Sequence, residues 1–318
     1  MSRLFVRVGD IVRERDVAEF ADAASIANFV WLHLDGAADD VEGVLSRIPD
    51  IPAPAAAALK AQETRPRCAS FGHGALVNLR GLGDPSAIDG DPLVSIRIWA
   101  QSRLAVSLAY RPLSIIDRLF AEMRDGAMAD PGDLISATAL AITDTLDPEI
   151  ADLGDALDGI ECQVVDEGKV GDRLRVAELR TTAIGYRRFL APQRQAMERL
   201  MALQESWIEP DDRLHLQEAA DRCARMVEEL EAVRERAALV HEALTDLRAE
   251  HMNKQALILA IVALIFLPLT FVTGLLGMNV AGIPFAHQPW AFWGVVLACL
   301  ALGVATGIWF KVTRWLQN

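Results

Sequence analysis

Hydrophobic positions recur along the chain in three rhythms, and each rhythm predicts a different kind of element. In the first third, short apolar runs bounded by turn residues predict strands. Phe29-Val30-Trp31-Leu32-His33-Leu34 is such a run, closed by Asp35-Gly36. Ala75–Leu79, Leu93–Trp99 and Leu104–Ala109 are others. Gly81, Gly83, Asp84 and Pro85, then Asp89-Gly90-Asp91-Pro92, predict turns between them. Pro112–Met123 and Asp133–Leu146 read as helices, and further helices fill the stretch from about Ile150 to Ser206. The pattern predicts an α+β (α/β) domain over residues 1–145, with helices after it.

The second rhythm is a long helical one. Trp207-Ile208-Glu209-Pro210-Asp211-Asp212 carries a helix-start signature, with Pro near the first turn and acids at the positive dipole end. From Asp211 through Leu267 there is no Gly or Pro. An uninterrupted helix of roughly 65 residues that includes this stretch is about 100 Å long. Leu216, Ala220, Cys223, Val227, Leu230, Val233, Ala237, Val240, Leu244 and Leu247 follow one another in steps of three or four, a heptad-like seam that packs on another helix. A second stripe advances by sevens through Glu228, Glu235, Glu242, Ala249, Ala256, Ala263 and Thr270. Asn253, Ala260, Leu267 and Gly274 fill the neighbouring position. Around a symmetry axis each Glu of this stripe would become an acidic ring that attracts cations. On a lone helix it is a solvated face with local Glu–Arg pairing, such as Glu231 and Glu235 beside Arg234 and Arg236.

The third rhythm is no rhythm at all. Ala256–Gly277 is uncharged over 22 residues and Trp290–Phe310 over 21. About 20 apolar residues cross a bilayer as a helix. The two predict a transmembrane hairpin, with spans at about 255–277 and 290–310 and a short loop at 278–289. Arg248, His251 and Lys254 precede the first span, Lys311 and Arg314 follow the second, and the loop has no Lys or Arg. The positive-inside rule places both termini in the cytoplasm and the loop outside. Trp290 and Trp293 mark one interface, and Trp309 and Trp315 the other. Two helices cannot enclose a polar path, so conduction requires a symmetric oligomer. A membrane-anchored sensor or scaffold is the competing reading, although one span would suffice for it. The first span is more than an anchor in composition: it carries Pro268, Thr270, Thr273 and Gly274. The threonine hydroxyls either line a wet path or bond back to their own helix.

Composition divides the chain the same way. Of 31 basic residues only Lys311 and Arg314 lie beyond Gln255, and all 44 acidic residues precede it. The acidic remainder excludes nucleic-acid binding, which needs Lys and Arg, and it favours cations or simple solubility. Cys68, Cys162, Cys223 and Cys299 form no paired motif, which fits a reducing compartment. The N-terminus lacks the apolar core of a signal peptide. Asp144, Asp147, Asp152, Asp155, Asp158 and Glu161 form an acidic stretch, read either as a regulatory divalent-cation site or as a solvated face. No nucleophile, zinc-hydrolase or phosphate-loop motif occurs, so no enzyme and no resident cofactor are expected.

Gly277-Met278-Asn279, directly after one span and before a short loop and a final span, is the signature of the CorA superfamily of metal-ion transporters. The architecture resembles that superfamily throughout: an α/β domain at 1–145, helices and a long stalk helix at 146–254, and a membrane domain at 255–318. FLPLTFVTGLLGMNVAGIPF, with Gly282-Ile283-Pro284 after the motif, is most similar to the zinc-transport branch called ZntB. The resemblance implies a funnel-shaped homopentamer in the cell inner (plasma) membrane. Its cargo would be a divalent cation, Zn²⁺ first and Mg²⁺, Co²⁺ or Ni²⁺ as alternatives, with proton coupling as a further family trait. It implies that Asn279 holds the hydrated ion at the outer mouth, beside Gly277 and Met278. Thr270, Gly274 and Asn253 would face the pore, Leu259 and Leu267 would form apolar constrictions, and Glu228, Glu235 and Glu242 cytoplasmic acidic rings. The loop lacks the acid common in magnesium-channel members, and His287 is its only titratable group, a metal ligand or a plain loop residue.

Overall fold

Where strands are buried on both faces, apolar residues fill most positions of both alternating sets, and the computed structural model places strands there. It describes residues 2–38, 40–48, 51–62, 65–85, 91–166, 172–278, 280, 282–285 and 287–315. The chain divides into two compact units, Met1–His241 and Glu242–Asn318.

The first unit holds a seven-stranded mixed sheet. Its strands are β1 (Arg3–Val8), β2 (Ile11–Arg15), β3 (Phe29–Asp35), β4 (Arg67–Phe71), β5 (Gly74–Leu82), β6 (Leu93–Gln101) and β7 (Leu104–Ala109). Their order is β2-β1-β3-β7-β6-β5-β4. β3 and β7 run parallel, in a register that pairs His33 with Ser107, and the other neighbours are antiparallel. All four strands expected from apolar runs are present. The turn expected at Gly81 is instead part of β5. A Cβ there would lie 2.9 Å from Ile142 Cγ1, so glycine serves a close helix-on-sheet approach rather than a bend. Asp89 and Gly90 lie outside the described residues.

Alternation along the strands sends side chains to two apolar layers. On one face Leu4, Val6, Val30, Leu32, Leu34 and Trp99 pack with residues of three short helices, α1 (Phe20–Ile26), α2 (Val41–Leu45) and α3 (Ala53–Lys60). On the other face lie α4 (Ile116–Arg124), α5 (Pro131–Asp166) and α6 (Asp172–Met201). Phe120 of α4 sits 5.4 Å from the ring of Trp31 and 5.5 Å from that of Phe5. The helix expected from Pro112 begins only at Ile116. Ser114 N–H is drawn to Leu82 O at 3.0 Å, and Leu113 bridges to Gly83, so this segment extends the sheet instead of coiling. α5 runs through Pro148 and across residue 145 without a break.

One helix, α7 (Pro210–Leu276), contains the whole expected rod. Along its seam Leu216, Ala220, Cys223, Leu230, Val233, Ala237 and Val240 are buried, and Val227 is half-buried. Arg222 pairs with Asp144 of α5, and Arg187 of α6 meets Glu231 at 2.6 Å, so α7 lies against both helices.

The second unit contains the end of α7 and α8 (Pro289–Trp315). The most apolar window of α7 has a mean hydropathy of 2.7 and that of α8 2.1, and none of either is buried. A core helix of such composition would be covered by protein. These two are bare, which is the condition of helices solvated by lipid. Trp290, Trp293 and Trp309 are exposed at their ends.

Candidate functional site

The residues assigned to an ion path share the exposed side of α7. Leu259 and Leu267 are 71% and 75% exposed, and Asn253, Thr270 and Gly274 are exposed as well. A Cβ on Gly274 would meet nothing, so this glycine is not required by packing within the chain. Thr270 Oγ1 donates to Phe266 O at 2.7 Å, and Thr273 Oγ1 donates to Leu269 O at 2.9 Å. Of the two fates open to these hydroxyls, the chain shows the back-bonded one. A back-bonded hydroxyl has committed its proton but keeps oxygen lone pairs, so it still accepts from a water or faces a cation.

α7 ends at Leu276, and Gly277 N–H caps it by donating to Thr273 O at 2.9 Å. Met278 is 50% exposed, while Asn279 lies outside the described residues. Beyond it Gly282 takes a φ of 113° and Phe285 a φ of 60°, and the Phe285 ring lies 5.2 Å from that of Trp290. His287 is exposed in this loop, and no metal-binding group of three includes it among the described residues.

The acidic stripe is exposed at Glu228, Glu235 and Glu242. Glu235 meets Arg234 at 3.6 Å, the local pairing expected of a solvated face. Glu228 and Glu242 have no ion pair among the described residues. The acidic stretch of α5 is differently occupied. Asp144 pairs with Arg118 at 3.1 Å and also with Arg222, while Asp158 and Glu161 pair with Arg236. Hydrogen bonds that Arg236 donates to Glu161 and Asp158 hold its guanidinium above its ordinary pKa. Guanidinium groups of α4 and α7 thus sit where a divalent cation would have to bind these three carboxylates. Asp147, Asp152 and Asp155 are exposed.

One carboxylate group escaped the sequence reading. Asp130, Asp133 and Asp212 bring ligand atoms within 4.8 Å of one another. Each belongs to a helix start. Asp130 Oδ1 accepts from the N–H of Gly132 at 2.7 Å and of Asp133 at 3.0 Å, and Asp133 Oδ2 accepts from Ala129 N–H at 2.7 Å. Asp212 Oδ2 accepts from Glu209 N–H at 2.8 Å. The signal was the repeated acid-Pro-x-Asp pattern at 130–133 and 209–212, two capped N-termini that meet in space. Burial, then the neighbouring acids, raise Asp212 to about 6 and raise Asp130 as well. A raised carboxyl pKa means that the folded chain holds its proton more tightly than the unfolded one. Stability present at low pH is then lost as pH rises through about 6. Asp212→Asn keeps the acceptor oxygen and removes the charge. Urea midpoints of the variant should be flatter than those of the parent between pH 4 and 6.5, and higher at pH 8. Parallel profiles would show that Asp212 is ionised without penalty.

The described residues therefore set an uncharged, bare helix with back-bonded hydroxyls before a glycine-capped end. The family described as CorA-like Mg²⁺ transporter protein matches residues 27–311. The zinc transport protein ZntB of Pectobacterium atrosepticum is 31% identical over 287 residues, covering 90% of this chain and 88% of that one. The divalent cation transporter CmaX of Pseudomonas aeruginosa is 36% identical over 293 residues, covering 90% and 87%. The solved full-length CmaX structure is similar, with a TM-score of 0.81 at 31% identity, covering 99% of this chain and 97% of that one. The CorA magnesium transporter of Methanocaldococcus jannaschii has the same fold, with a TM-score of 0.80 at 17% identity and coverage of 98% and 97%.

Proposed function

The chain belongs to the CorA-like family of divalent-cation transporters, and on that premise we propose that it carries Zn²⁺ through the central pore of a homopentamer. The observation that carries this reading is the bare, uncharged end of α7, which leads into Gly277-Met278-Asn279. Curated relatives about a third identical over nine tenths of the chain bear the names of zinc and divalent-cation transporters, which supports zinc as cargo.

The chemistry runs from the outer mouth inwards. The membrane domain is residues 255–318, seated in the inner membrane with both termini cytoplasmic. Asn279 offers a neutral amide oxygen to the water shell of the ion. A neutral acceptor holds a hydrated divalent ion without stripping it, which suits cations that dehydrate reluctantly. Gly274 keeps the bore open, and Thr270 presents its lone pairs. Leu267 and Leu259 narrow the path and gate it by excluding water. Asn253 receives the ion at the inner end. Glu242, Glu235 and Glu228 then form acidic rings that concentrate cations on the cytoplasmic side. No Asp, Glu or His lies in either span, so the helices themselves carry no proton relay.

Zinc uptake into proteoliposomes, with and without a pH gradient, tests the reading. Uptake should be saturable, and Mg²⁺ should compete less well than Ni²⁺ or Co²⁺. An inward proton gradient that accelerates uptake supports coupling, and indifference to it supports a passive pore. Flux of Mg²⁺ without Zn²⁺ would overturn the assignment of cargo, and a monomer or dimer in detergent would overturn the central pore.

A further inference from the structure

A cavity of about 430 Å³ opens in the first unit where β3 and β7 begin, at the end of the sheet that holds the Val30–Leu104 pair. Its floor is apolar: Phe20, Ala27, Val30 and Ile48 are buried, and Leu104 is half-buried. Ala21 and Ala24 of α1 stand at its side, exposed and too small to close it. Arg47, Gln101, Ser102 and Arg103 supply its polar lining. None of these residues has a part in the proposed ion path.

The charge of this lining runs against that of the chain. The protein has 44 acidic residues to 31 basic, yet two arginines and no Asp or Glu line the cavity among the described residues. Several other arginines of the first unit are paired: Arg15 with Glu19, Arg80 with Asp91, and Arg118 with Glu122 and Asp144. Arg47 and Arg103 have neither an ion pair nor a side-chain hydrogen bond among the described residues. Both reach the cavity from tight turns. Arg47 follows α2, where its N–H donates to Val44 O at 3.1 Å. Arg103 is the second residue of the two-residue turn between β6 and β7, since Gln101 pairs with Leu104, and its carbonyl accepts from Val30 N–H at 2.8 Å. Ser102, the first residue of that turn, has a φ of 40°. Glycine adopts this conformation at less cost. Serine there strains the turn and places a hydroxyl in the lining.

We propose that this cavity binds a small organic anion, a carboxylate carried on an apolar body. The carboxylate accepts from the guanidinium groups of Arg47 and Arg103, whose planar donor forks match its two oxygens, and Ser102 adds a hydroxyl donor. The apolar body lies on Phe20, Val30, Ile48 and Leu104, out of water. A metal cation or an amine is repelled by the two arginines. A neutral ligand leaves both guanidinium groups without a counter-charge, and a bare inorganic anion leaves the apolar floor wet. The volume lies within the range of small-molecule sites.

Calorimetric titration of the full-length protein in detergent tests this with four probes: 3-phenylpropionate, 3-phenylpropanamide, 3-phenylpropylamine and acetate. The same titrations into detergent buffer are subtracted. Phenylpropionate should bind, and its affinity should fall as salt rises. The amide and the amine should bind at least about tenfold more weakly, because each lacks the charged acceptor, and acetate should do so because it lacks the apolar body. Arg47 and Arg103 are exposed, so Arg47→Gln and Arg103→Gln should keep the parental thermal midpoint. Each should weaken phenylpropionate binding by about tenfold or more, the loss of one charge-assisted hydrogen bond. Equal binding of the carboxylate and the amide, or parental affinity in either variant, would overturn the proposal. So would binding of no probe at all, as when an acidic side chain of a second copy already fills the cavity. None of these outcomes depends on whether zinc is transported.

Discussion

Proteoliposomes bearing Asn279→Ala are expected to take up zinc at least about tenfold more slowly than the parent. In the proposed pentamer one substitution would remove five amide oxygens from a single ring. Each hydrogen bond to the water shell of the ion contributes about 1 kcal/mol net, so five amount to about 5 kcal/mol before bulk water replaces part of the loss. Asn279→Asp keeps an acceptor oxygen at the same place and should retain uptake, with stronger dependence on ionic strength because the ring is now charged. Asn279→Ala with undiminished uptake would remove the amide from the path, whatever the cargo. The measurement is initial uptake rate at matched protein density, with oligomeric state checked in detergent. The second check matters because the loop carrying Asn279 also contains Phe285 packed against Trp290, 5.2 Å apart. A loss of assembly would otherwise imitate a loss of conduction.

The parts of this fold that the sequence makes legible are those whose burial leaves no alternative. β3, β5, β6 and β7 are covered on both faces, so apolar residues fill most positions of both alternating sets, with His33, Asn78, Ser95, Arg97 and Ser107 as buried polar exceptions. β1, β2 and β4 went unread. β2 is Ile11-Val12-Arg13-Glu14-Arg15, exposed or half-exposed at every position, and it exists because its backbone pairs with β1. Such an edge strand carries no inward pattern to find. β4 ends the sheet on the other side and is likewise mostly uncovered. The long helix was legible because nothing in 57 residues breaks it, and its start followed from Pro210. Pairings between helices were not. Arg222 and Asp144 are 78 positions apart, as are Arg236 and Asp158, so no local spacing announces them. A comparable separation along the chain hid the meeting of Asp130 and Asp212. The threonines show a different limit: their spacing is compatible with either fate of the hydroxyl, and only the geometry at Phe266 O and Leu269 O distinguishes the two.

Two stripes on α7 differ in burial, and on the proposed reading exchanging a residue on each should separate stability from transport. Leu230 is fully buried on the seam, where α7 lies against α5 and α6. Leu230→Ala should cost about 2–5 kcal/mol, the sum of lost transfer energy and the cavity left behind. It should lower the thermal midpoint of the protein, while zinc uptake per folded pentamer stays near the parental rate. Glu242 stands exposed on the other stripe without an ion pair among the described residues. Glu242→Gln should change stability by less than about 0.5 kcal/mol, as surface substitutions generally do. On the proposed pentamer its effect should fall on flux at low ionic strength, where a ring of five carboxylates would concentrate cations most, and should fade as salt screens the charge. Equal flux at every salt concentration would return Glu242 to the plain solvated face that the local pairing of Glu235 with Arg234 exemplifies. A stability loss in Glu242→Gln as large as that of Leu230→Ala would mean that the acidic stripe packs against another subunit, and the face assigned to the pore would have to be exchanged for an interface.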